Sequence, residues 1–133
     1  MAAVADTTSP VGPGTALTVA IEGFLNHLQA LQAARATVVA YRSDLTQVSA
    51  LMAEDPAALR VADLTVARLE AGFAGYAQGR SPSTVTRAWS CWNKFCAQLT
   101  QLGALPGNPM DAVAHTREPR GTPDAGTEAD PRR

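Results

Sequence analysis

The sequence predicts an all-α domain, a compact bundle of four to five short helices. Apolar residues recur at spacings of three and four in four successive segments, and no segment alternates with the period of two that a half-buried strand requires. Proline and glycine punctuate the chain after the second, third and fourth segments, at Pro56, Gly79, Pro82, Gly103 and Pro109. A chain of 133 residues with 46% apolar content suits one domain that buries its own core.

Leu17, Ile21, Phe24, Leu25, Leu28 and Leu31 line one face of a first helix from about Thr18 to Ala33. Val38, Tyr41, Leu45, Val48 and Met52 do the same for a second. It ends near Glu54-Asp55-Pro56, because proline disfavours helical geometry in the residue before it. Thr65 is a suitable N-cap for a third helix carrying Val66, Leu69, Phe73 and Tyr76, with Gly79 as its stop. Gly72 and Gly75 inside that helix cost about 1 kcal/mol each relative to alanine. Ser81-Pro82-Ser83 opens the fourth, with Ser83 read as N-cap and Val85, Trp89, Trp92, Cys96, Leu99 and Leu102 as the buried stripe. Gly103 stops it, and the Asn108-Pro109 turn leads into a short helical piece from Met110 to Ala114. Residues 1–16 read as a flexible leader, 17–113 as the helical domain and 114–133 as a disordered tail or linker. That tail is rich in charge and proline, with Ala125 and Ala129 its only apolar side chains after Ala114.

Several function classes lose support at this level. No run approaches 18 apolar residues, and the N-terminus carries no basic residue before its short apolar stretch, so neither a membrane span nor a secretory signal is expected and the cytoplasm is the default location. Cys91 and Cys96 lie five apart, about 140° around a helix, which suits two reduced packing residues better than a bridge or a shared metal. His27 and His115 have no cysteine or second histidine at ligand spacing, so no metal or cofactor is expected. The formal net charge of −1 and a pI near 6.1 argue against a strongly basic nucleic-acid binder. Within the helical region seven basic residues balance seven acidic ones, so DNA binding requires the charges to be sorted onto different faces.

The order of features resembles the N-terminal core-binding domain of tyrosine recombinases, or phage integrases. The resemblance rests on Phe24-Leu25 with Leu28, Thr37 with Tyr41-Arg42-Ser43-Asp44-Leu45, Leu64-Thr65, Ser81 with Thr84-Val85 and Arg87, then Gly103 and Asn108-Pro109. It covers about residues 17–113 and implies a SAM-like integrase N-terminal fold. It also implies that the domain is one jaw of a clamp, its second and fourth helices against the major groove of a recombination half-site in double-stranded DNA. Asn93, where many relatives carry arginine, and Ala36, in place of the usual serine or asparagine, depart from the pattern.

On this resemblance the DNA-contact candidates are Thr37, Arg42 and Ser43 in the second helix, Arg80 in the loop, and Ser83, Thr84, Arg87, Ser90 and Lys94 in the fourth. Hydroxyls at a helix start suit phosphate, Arg87 reaches a phosphate or a guanine edge, and Lys94 tracks the backbone. Thr37 and Ser83 equally suit helix capping, and Arg42 equally suits pairing with an acid such as Asp44 or Glu70. Tyr41 is a buried residue in the family pattern, not the recombination nucleophile. Only 24 residues follow Pro109, too few for a catalytic domain, so a non-catalytic DNA-binding half is expected, with a full-length recombinase or a separate catalytic half as partner. Neutralising about four phosphates would give a salt slope of about −3.6 and nonspecific binding at roughly 10 to 100 micromolar. The alternative is a helical protein-interaction module, or a dominant-negative partner of a full-length recombinase, that has lost DNA binding.

Overall fold

A computed structural model describes residues 11–113, and the expectations for residues 1–10 and 114–133 lie outside the described residues. Among the described residues four α-helices form the bundle: α1 (Leu17–Ala30), α2 (Arg35–Ala50), α3 (Val66–Tyr76) and α4 (Pro82–Gln101). Single 3-10 turns cover Pro56–Ala58 and Val61–Asp63 between α2 and α3, and Pro109–Ala112 after α4. Among the described residues there is no strand, only an isolated antiparallel bridge between Ala16 and Arg60. None of the described helices is long and apolar enough to cross a membrane.

α2 is the hub, packing against each of the other three helices. One continuous core results, in which Leu25, Leu45, Val48, Leu69, Trp92 and Phe95 are wholly enclosed. Phe95 ties two elements together, its ring 5.4 Å from Phe24 of α1 and 5.5 Å from Trp92. Truncating a buried aromatic of this kind to alanine costs about 3–5 kcal/mol.

α1 has no side-chain cap at Ala16; instead the Leu17 N–H donates to the Leu59 carbonyl at 2.8 Å. The Val61 and Ala62 N–H groups return the connection to the carbonyls of Thr15 and Pro13, so the end of the expected leader is tied into the fold. Thr65 caps α3 as its sequence position indicates, accepting from the Arg68 N–H. Gly79 and Gly103 sit at φ +77° and +81°, in the left-handed region favoured by glycine, just beyond α3 and α4.

Several expectations need correction. Ser81, not Ser83, caps α4, accepting from the Thr84 N–H at 3.2 Å; Pro82 takes the first helical position and Ser83 stands inside the first turn. Thr37 is not a cap either, since α2 begins at Arg35 after Ala34. The α4 stripe keeps Val85, Trp92, Cys96 and Leu99 but differs in its other members. Ala88, Cys91 and Phe95 are buried within it, whereas Trp89 is half-buried and Leu102 is 44% exposed. Leu31 is 64% exposed because α1 stops at Ala30, before the stripe can continue. The last helical piece is the 3-10 turn Pro109–Ala112, with the Asn108 side chain accepting from the Met110 N–H.

Gly72 is a packing requirement. A Cβ there would meet Met52 Cγ at 2.8 Å and the Val48 carbonyl oxygen at 3.2 Å, so α3 reaches α2 this closely only with hydrogen at that position.

Candidate nucleic-acid interface

The polar candidates gather along the seam where α4 crosses α2. At about 100° per residue, Ser83, Thr84, Arg87, Ser90 and Lys94 fall within about 60° of one line on α4, and Arg80 precedes the helix on the same side. Descending through Lys94, Arg87 and Arg80 in steps of seven, each cation meets a residue of α2, and these climb in steps of three as Tyr41, Asp44 and Gln47.

Arg87 forms the firmest of these contacts. Its Nε donates to Asp44 Oδ2 at 2.9 Å and its NH2 nitrogen to Asp44 Oδ1 at 2.7 Å, a bidentate fork. The Asp44 side chain is 1% exposed while that of Arg87 is 47% exposed, so the pair straddles the surface. The Tyr76 hydroxyl of α3 donates to the same Oδ1 at 3.0 Å, and the Trp92 indole donates to the Asp44 carbonyl at 3.4 Å. One buried carboxylate therefore joins three helices. The hydrogen bonds from Arg87 to that carboxylate raise the guanidinium's pKa further above its ordinary value, and burial beside the carboxylate raises that of the Tyr76 phenol.

Arg80 and Lys94 are held differently. Arg80 donates from NH1 to the Tyr76 carbonyl at 2.8 Å and from NH2 to Gln47 Oε1, with its guanidinium carbon 4.0 Å from the centre of the Tyr76 ring. Lys94 Nζ donates to the Tyr41 hydroxyl at 3.2 Å and lies 5.7 Å from the centre of that ring. These partners are neutral, so the two cations are fixed with their charge intact.

Arg42 pairs with Glu22 of α1, a partner that neither proposed pairing anticipated, and this bond raises its pKa. Ser43 accepts from Gln47 Nε2 at 2.6 Å. Ser83 lies 3.3 Å from the capping Ser81 hydroxyl, which also donates to Thr84 Oγ1 at 3.0 Å. Thr37 is half-buried in the first turn of α2, and Ser90 is half-buried on the polar face of α4. Asn93 anchors the turn that follows α4, its side-chain oxygen accepting from Asn108 Nδ2 at 2.9 Å.

A family model described as phage integrase, N-terminal SAM-like domain, matches residues 21–103, more than half of the chain. The chain belongs to this family. No curated protein and no solved structure matches it. In this integrase-type domain, Asp44 of the Tyr41-Arg42-Ser43-Asp44-Leu45 motif anchors the bundle and Asn108 of Asn108-Pro109 secures its last turn. Sequence reasoning offered Asp44 as a partner for Arg42 and Asn108 as part of a turn, and gave neither an anchoring role. Gln47 it missed altogether; the signal available was its place one turn beyond Ser43 on the polar side of α2.

Proposed function

We propose that the α2–α4 face grips the backbone of duplex DNA, as the non-catalytic core-binding half of a tyrosine recombinase seated on a recombination half-site. The observation that carries this reading is the pair Arg80 and Lys94, two cations on one face held by neutral partners and so available to phosphate. Strand exchange is assigned to a full-length recombinase or a separate catalytic half, and such binding would locate the chain with the nucleoid in the cytoplasm.

Two of the four cations expected to act on DNA are neutralised: Arg42 by Glu22 and Arg87 by Asp44. With two left, the salt slope of log affinity falls from about −3.6 to about −1.8, since each neutralised phosphate contributes about 0.9. Binding of the isolated domain is therefore weak and insensitive to sequence. The test is a gel shift with a short duplex at low salt. The protein shifts the duplex, and Arg80→Ala with Lys94→Ala abolishes the shift while the thermal melt is preserved; an unchanged shift in that variant defeats the reading.

The same two neutralised arginines, with the net charge of −1, favour a second reading in which the bundle is a protein-interaction module acting on an intact recombinase. Co-purification with a full-length recombinase in the absence of any DNA shift selects that alternative.

A further inference from the structure

We propose that Gln47 and Tyr41 are positioning residues that fix Arg80 and Lys94 on the α2–α4 face without neutralising them. The inference rests on the reading of that face as a DNA-binding surface. Its basis is a division among the cations by the type of partner each has. Arg42 and Arg87 are held by carboxylates, from Glu22 and Asp44. Arg80 and Lys94 are held by an amide oxygen, a backbone carbonyl and a phenol oxygen. A carboxylate acceptor satisfies the donor and cancels its charge, whereas a neutral acceptor satisfies the donor and leaves the charge to act on a phosphate.

The geometry extends one step further. Gln47 Nε2 donates to Ser43 Oγ at 2.6 Å, which turns the amide so that its oxygen faces Arg80. Ser43 thus acts through Gln47, not as a phosphate contact itself. On the other side, the Tyr41 ring is buried in the core and its hydroxyl accepts from Lys94, so the acceptor comes from a rigid part of α2. Long, flexible side chains lose rotamer freedom when they bind, and fixing them beforehand lowers that cost.

The experiment compares the full chain with Gln47→Ala, Gln47→Glu and Tyr41→Phe, measuring affinity for a short duplex by fluorescence anisotropy across a salt series, with thermal melts alongside. Gln47→Ala and Tyr41→Phe keep every charge, so each loses about two- to tenfold in affinity at an unchanged salt slope. Gln47→Glu places a carboxylate against Arg80, so the slope becomes shallower by about 0.9. Gln47 lies on the surface, and its variants melt with the parent protein. If the parent binds DNA and both Gln47 variants match it in affinity and slope, the positioning role is wrong while the DNA reading stands. If the parent binds no duplex at low salt, both fall.

Discussion

Arg87 and Asp44, 43 residues apart, form a two-pronged ion pair whose acid is buried and whose base is half in water. The consequence runs against the simplest use of Arg87 as a DNA probe. Arg87→Ala strands the Asp44 carboxylate in the core with the Tyr76 hydroxyl as its remaining side-chain donor. Losing one partner of a fully buried pair costs about 3–5 kcal/mol, and the exposure of Arg87 reduces that to about 2–3 kcal/mol here. Urea denaturation measures it. Arg87→Lys recovers only part of the loss, because an ammonium cannot reproduce the fork. Equal stability for Arg87→Ala and the parent protein would refute the anchoring role.

The two glycines of α3 separate packing from propensity. Gly72→Ala puts a methyl 2.8 Å from Met52 Cγ and 3.1 Å from Val48 Cγ1, and the overpacking, about 1–3 kcal/mol, outweighs the helical gain of alanine. Gly75→Ala meets the Leu51 side chain at ordinary contact distance, its nearest atom Cδ1 at 3.4 Å, and is expected to stabilise by about 0.5–1 kcal/mol. Thermal melts of the two variants should move in opposite directions; a shift of the same sign in both would show that the α2–α3 approach is looser than described.

The serines around Pro82 make a second matched pair. Ser81→Ala removes the acceptor for the Thr84 N–H and costs about 1 kcal/mol, whereas Ser83→Ala, inside the first turn, changes stability by less than about 0.5 kcal/mol. Chemical denaturation of both variants distinguishes the caps, and a larger loss from Ser83→Ala would restore the assignment made from sequence.

Burial pushes the Cys96 thiol up to about 12 from an ordinary 9.0, and burial together with the nearby Asp44 also raises Cys91. A raised folded-state value contributes stability that is complete below the unfolded value and is lost as pH climbs through the folded one. Stability is therefore level with respect to these thiols up to about pH 9 and then falls, by about 1.4 kcal/mol per pH unit for each thiol. Denaturation under reducing conditions at rising pH reads this directly, and Cys96→Ala should show a shallower decline. An identical decline in that variant would remove Cys96 from the account.

The helices were legible because their apolar residues recur with the helical period, and Thr65, Gly79 and Gly103 mark boundaries by local backbone chemistry alone. What was hidden depends on tertiary pairing. The sequence offers Arg42 Asp44 or Glu70 as partner, yet the crossing of α1 and α2 delivers Glu22, and Asp44 is taken by a base 43 residues away. No periodicity specifies such a choice. In the sequence Asn93 stands out for the charge it lacks, while its use, holding Asn108, requires the segment after α4 to fold back onto that helix. Ser81 was within reach of sequence reasoning, because proline favours the first helical position and the cap then falls on the residue before it.

Two cations held by neutral partners on the α2–α4 face carry the proposed DNA binding, and the salt dependence of duplex binding tests it most directly. Anisotropy titrations from about 50 to 200 mM salt should give a log–log slope of about −1.8 for the protein and no measurable binding for Arg80→Ala with Lys94→Ala. The same affinity and slope in that double variant, with the fold intact, would contradict the account.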